Sequence, residues 1–148
     1  MLSLGIIPWI IWLKIHDKKY SGDLIRAGLF MTTLSLILDS IGVQLGLWIY
    51  PYDVIPFIPG YLPWDLTLIP ITVMLMIESK PAWSPLLKSI IFAVLSAGAG
   101  EHLAIFLKIY HPIHWKPIYS IPIYIFLFLI SNKLAKSKIF NSNFNSNF

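Results

Sequence analysis

The chain has no cysteine, which excludes disulfides, thiol nucleophiles and thiolate metal sites. Charge is scarce too. Asp, Glu, Lys and Arg make up 12% of its 148 residues, against roughly 25% in soluble domains. Acids are rarest, seven in all, so an acid inside an apolar run stands out. No Gly-x-Ser-x-Gly, His-Glu-x-x-His, Walker or Gly-x-Gly-x-x-Gly pattern occurs, which removes the usual signatures of soluble hydrolases and nucleotide binders. The apolar runs are continuous and do not alternate, which argues against a β-barrel.

What is there is hydrophobic: 57% of the residues are apolar or aromatic. This composition describes an all-α polytopic transmembrane helix bundle, one domain over residues 1–138. About 20 apolar residues cross a bilayer as a helix. Five spans are expected, at 2–15, 24–48, 62–78, 85–109 and 117–134. The first is short, and a re-entrant or interfacial segment is its alternative reading. No Lys or Arg precedes it, so it does not read as a signal peptide. Pro63 suits the first turn of the third helix, and Pro70 is expected to kink it. Residues 139–148 carry an Asn-Ser-Asn-Phe repeat and read as a disordered tail.

Basic residues set the orientation, because cytoplasmic loops collect them. On the five-span scheme Lys14, Lys18, Lys19, Arg26, Lys80, Lys88, Lys133, Lys136 and Lys138 share one side, and only Lys108 and Lys116 take the other. The N-terminus is therefore expected outside and the C-terminus in the cytoplasm, in a multi-pass protein of the cell membrane. The net charge of +4 reads as loop lysines, with no nucleic-acid partner implied.

The stretch from Arg26 to Tyr50 carries Asp39 deep inside an apolar run. A central carboxylate costs roughly 2.5–3.5 kcal/mol on insertion scales. Ser35, Asp39, Gly42 and Gly46 fall on one helical stripe. Gly42 and Gly46 form a Gly-x-x-x-Gly, the spacing that lets a second helix approach. The fourth helix has a similar small-residue stripe, Ser89, Ala93, Ser96 or Ala97, Gly100 and Ala104. The two stripes are expected to pack together and to bring Glu101 to the depth of Asp39.

Asp39, Gln44, Asp53, Asp65, Glu101, His102, His111 and His114 all fall in the outer half or at the outer surface of this scheme. Asp39, Asp65 and Glu101 are the candidate catalytic groups. Two acids close together in low dielectric do not both ionise, which suits general acid–base work, a proton relay or a cation site. The bland alternatives are buried acids that only fix packing, and a His102 that is only packed. The candidate ligand-binding set is Asp39, Gln44, Trp48, Tyr50, Trp64, Asp65, Glu101, His102, Trp115 and Tyr119. Its aromatic members also read as an interfacial belt. No metal site and no cofactor is expected. His111 and His114 with Glu101 or Asp53 are ligand types that suit zinc, but their spacing in a proline-containing loop is thin ground for one.

The run Leu38-Asp39-Ser-Ile-Gly42-Val-Gln-Leu-Gly46-Leu-Trp48-Ile-Tyr50-Pro-Tyr52, followed by Pro56, Pro59, Leu62-Pro63-Trp64-Asp65 and Pro70, resembles a family of small uncharacterised multi-pass membrane proteins of spore-forming Gram-positive bacteria. Gly100-Glu101 and the stretch from His114 to Tyr124 fit the same family. Where the family tends to carry proline after the glutamate, this chain has His102. The resemblance implies a multi-helix membrane protein and no particular activity. Trp48, Tyr50, Pro63 and Asp65 are also similar in pattern to small membrane lycopene cyclases, which have paired acids where this chain has Asp65-Leu66.

The leading expectation is an integral membrane protein with an acidic, aromatic-capped pocket in the outer half of the bilayer, binding a lipid-like or small cationic ligand. The alternatives are an accessory subunit or homo-oligomer that packs through Gly42 and Gly46, and an acid-catalysed isoprenoid enzyme. Membrane lipid is the expected surrounding partner.

Overall fold

Helix α1, Leu2–Ile15, turns back through a short 3-10 segment, Lys18–Tyr20, into α2, Ser21–Gln44. The computed structural model describes residues 2–52, 60–80 and 82–136, with side chains from Gly5 onward. Asp53, Lys138 and the tail at 139–148 lie outside the described residues. Asp17 fixes the first turn. Its side chain accepts from the Lys19 N–H at 3.0 Å, and its own N–H donates to Glu78 of the third helix.

The expected end of the second helix at Trp48 is corrected to Gln44. The Gly46 N–H donates to the Val43 carbonyl at 3.0 Å and the Leu47 N–H to Gly42 at 2.9 Å. Gly46 has φ +68°. This is a Schellman closure, which wants glycine in the left-handed position. Gly46 is thus a helix stop and forms no contact seam with Gly42.

The third helix begins after Pro63 as a π-helical stretch, Trp64–Leu68, and continues as α3, Ile69–Glu78. The expected kink at Pro70 takes this form. Pro70 has no N–H for the Leu66 carbonyl one turn earlier, and the Trp9 indole N–H donates to that carbonyl at 3.2 Å. Thr67 Oγ1 donates to the Gly5 carbonyl at 3.1 Å. Both bonds tie α1 to the π stretch.

The fourth helix has three parts. α4, Pro85–Ala93, is capped by Ser84. A second π stretch, Val94–Glu101, follows, and α5, His102–Phe106, ends it. The helix expected to reach residue 109 stops because Lys108 turns to φ +58°. Strands β1, Trp48–Ile49, and β2, His111–Pro112, pair antiparallel, Trp48 opposite Pro112. Then comes α6, Pro117–Lys136.

α6 packs against both α2 and α4, and α3 packs on α2. The expected direct packing of the second helix on the fourth is corrected: α2 and α4 share no comparable contact, because α6 lies against each of them. Lys88 closes the end of α3, its buried Nζ donating to the Ile77 carbonyl at 3.1 Å and also to Ser79. The core gathers Trp12, Met31, Met74, Phe92, Leu127 and Phe128 towards the basic end of the bundle. The opposite end, where Trp48 and Trp115 lie, is not filled in this way.

Among the described residues the bundle is all-α apart from the two-residue ladder. Among the described residues three helices are long and apolar enough to cross a membrane: Lys18–Gln44, Pro85–Phe106 and Pro117–Lys136. Large apolar side chains such as Ile10, Leu29, Ile41, Ile90 and Phe126 stand exposed on the bundle. Exposed apolar surface on that scale marks contact with a partner or a membrane.

Candidate functional site

The unfilled end holds a cavity of about 260 Å³. Asp39 reaches it from α2, Asp65 from the first π stretch and Glu101 from the end of the second. Two of the three acids thus sit in π-helical backbone. Such stretches are rare and occur often at functional sites.

Asp39 and Asp65 meet. Their carboxyl groups lie within hydrogen-bonding reach of each other, beneath the backbone of Gly60 (φ +134°). A methyl group on Gly60 would stand 3.2 Å from Asp39 Oδ2 and 3.4 Å from Asp65 Oδ2. The Tyr50 hydroxyl donates to both oxygens of Asp39 at 2.9 Å. Of the three acids expected to converge on one site, with Glu101 at the depth of Asp39, the one that bonds Asp39 directly is Asp65. α3 and the first π stretch both pack on α2, and the π turn aims Asp65 at Asp39. Glu101 faces the hydroxyls of Ser120 and Tyr124.

Among the described residues the cavity is acidic without compensation, since no Lys, Arg or His lines it. Asp65 and Glu101 are only 2% and 7% exposed, and Asp65 Oδ2 and Glu101 Oε2 are buried oxygens that form no hydrogen bond of their own among the described residues. Among the described residues no three His or carboxylate side chains converge closely enough to hold a metal ion.

An aromatic cap covers the end. The Trp48 ring stands edge-on to Trp115 at 5.3 Å, and Tyr110 lies 5.6 Å from Tyr50. The ladder of β1 and β2 fixes these rings, helped by the N–H groups of Ile113 and His114, both donating to Leu47 at 2.9 Å. Trp115 Nε1 donates to Ser120 Oγ at 2.9 Å. Burial and the nearby acids push the Tyr50 and Tyr110 hydroxyls well above the ordinary tyrosine range. They stay neutral donors.

Two glycines make room for the cap and wall. Gly42 lies under Trp48, where a Cβ would sit 2.0 Å from the indole. Gly100 lies under Trp64, where it would sit 2.5 Å away. The close approach read from the glycine spacing is thus to an indole of the same chain. The face expected to meet a partner through Gly42 and Gly46 is occupied at Gly42.

Of the expected ligand-binding residues, Asp39, Trp48, Tyr50, Trp64, Asp65, Glu101 and Trp115 line the cavity. Gln44, His102 and Tyr119 do not, and all three are exposed. Gln44 ends α2 on its outer side, His102 turns its Nδ1 to the Ala97 carbonyl, and Tyr119 packs on the back of Trp115. His111 and His114 are exposed outside the cavity. The reading by residue type missed Tyr61, Tyr110, Ser120 and Tyr124. Tyr124 carried the one usable signal, a hydroxyl well inside an apolar helix.

The fold and site define a helical bundle of membrane-protein character with a closed-capped acidic cavity. No family model, no curated protein and no solved structure matches the chain.

Proposed function

We propose that the chain is a multi-pass protein of the cell membrane, with its five helical passes oriented so that the basic end is cytoplasmic, and that its cavity binds a lipid-like or small cationic ligand in the outer half of the bilayer. One observation carries this reading. Among the described residues three carboxyls and no basic side chain line a largely apolar cavity, and two of the buried carboxyl oxygens form no hydrogen bond. Uncompensated acids are costly in low dielectric. A cation that lies against both the carboxyls and the aromatic faces relieves that cost.

The test uses the full chain in uncharged maltoside micelles and reads tryptophan emission, since Trp48, Trp64 and Trp115 line the cavity. N-dodecylpyridinium, a cationic quencher, is expected to quench saturably. Dodecanol and dodecanoate are expected not to compete. Asp39→Asn with Asp65→Asn should abolish saturation. Equal competition by the neutral or anionic compounds would overturn the reading.

A second reading, acid catalysis on an isoprenoid-like substrate, is favoured by the contact of Asp39 with Asp65. Two carboxyls that hydrogen-bond share a proton, and such a proton can be delivered to a bound double bond.

A further inference from the structure

Among the described residues the cavity is covered at its end by aromatic rings, while on the α5 side its lining leucines are exposed. The end is covered by Trp48, Trp115 and the short ladder beneath them. The side is bounded by α5. Among the described elements, the substantial packing of α5 is confined to the π stretch that precedes it. It stands off α2, with which it shares no comparable contact. Leu103 and Leu107 line the cavity and are nevertheless 56% and 52% exposed. Both leucines therefore form the rim of an opening on the flank. Phe106 beside them is 80% exposed, so that flank suits hydrocarbon rather than water.

We propose that the occupant is a single-chain amphiphile with a cationic head, its head among Asp39, Asp65 and Glu101 and its tail in the wedge beside Leu103 and Leu107. This rests on the ligand-binding reading above. Charge complementarity fixes the head: among the described residues the wall holds three acids and no base, and Asp65 Oδ2 and Glu101 Oε2 are buried oxygens that form no hydrogen bond there. An organic cation fits better than a metal ion, since no three ligand groups converge among the described residues. The indole and phenol faces around the acids suit an alkylated or protonated amine. Size fixes the tail. A cavity of about 260 Å³ is small beside the roughly 300–1,000 Å³ of common ligand pockets. It takes a head and the start of one chain, and the rest of the chain leaves through the wedge.

The absence of cysteine makes the test direct. Leu107→Cys, reacted with benzyl maleimide in uncharged maltoside micelles, plugs the wedge. Phe106→Cys with the same label is the control, because Phe106 does not line the cavity. Leu103→Cys is a second plug should the first misfold by circular dichroism. The plugged protein is expected to bind N-dodecylpyridinium at least about tenfold more weakly, a change of ~1.4 kcal/mol, and the control to bind it unchanged. N-methylpyridinium should saturate far more weakly than the long-chain probe. Unchanged binding in both plugged proteins, or equal affinity of the short and long probes, would overturn the amphiphile while leaving the acidic pocket standing. Binding that survives Asp39→Asn with Asp65→Asn would remove the pocket reading as well.

Discussion

The carboxyl of Asp39 on α2 touches the carboxyl of Asp65 on the first π stretch. Tyr50 donates to Asp39 from one side, and the Gly60 backbone covers the pair. Two carboxylates in contact repel, whereas a carboxyl and a carboxylate bond through one proton.

A proton shared by this pair is the first prediction. Infrared spectra at neutral pH are expected to show a protonated carboxyl band that changes in both Asp39→Asn and Asp65→Asn. A spectrum identical to wild type in the two variants would rule the shared proton out.

Tyr50→Phe should weaken the fold. It removes the donor to both oxygens of Asp39 and leaves a buried acceptor short of a partner, which costs roughly 1–3 kcal/mol. Thermal unfolding in micelles measures this. An unchanged midpoint would mean that water replaces the hydroxyl.

Glycine substitutions should sort by the space above them. Gly100→Ala places a methyl 2.5 Å from Trp64 and should expel that ring, with a large change in tryptophan emission. Gly98 has nothing within 4 Å. Gly98→Ala should be neutral or stabilising by up to about 1 kcal/mol, since glycine weakens a helix. Equal effects at the two positions would contradict the packing of Trp64 on Gly100.

Alkaline pH should destabilise the aromatic cap. The Tyr50 and Tyr110 hydroxyls are raised above the ordinary value of 10.0. The folded state therefore holds protons that the unfolded chain releases. Stability from these groups is complete below the ordinary tyrosine value and is lost as pH rises through the raised ones. Ultraviolet titration should show Tyr50→Phe removing a late phenolate step and leaving the ordinary steps intact. Loss of an ordinary step would place Tyr50 in water.

Orientation is checked by labelling. Lys18→Cys and His111→Cys each introduce the sole thiol of a chain without cysteine, at opposite ends of the bundle and both exposed. An impermeant maleimide should reach position 111 from outside and position 18 only after the membrane is opened. Labelling of both from one side would refute the proposed arrangement.

Composition alone determined the all-α class and the apolar helices, because a helix in hydrocarbon needs only length and apolar side chains. It also marked the acids, since a carboxylate inside an apolar run is visible without any structure. Which acid meets which was decided by tertiary structure. Helical periodicity assumes 3.6 residues per turn. Trp64–Leu68 and Val94–Glu101 wind as π helix, so Asp65 and Glu101 point where that periodicity does not send them. The same holds for the glycines. The spacing of Gly42 and Gly46 announced a close approach, but the chain reversal at Gly46 brought Trp48 into that space. The tyrosines escaped notice for a related reason. Tyr124 becomes a wall residue because α6 lies against both α2 and α4, and Tyr110 because the pairing of β1 with β2 sets it beside Tyr50; both are contacts between distant segments that no local pattern encodes.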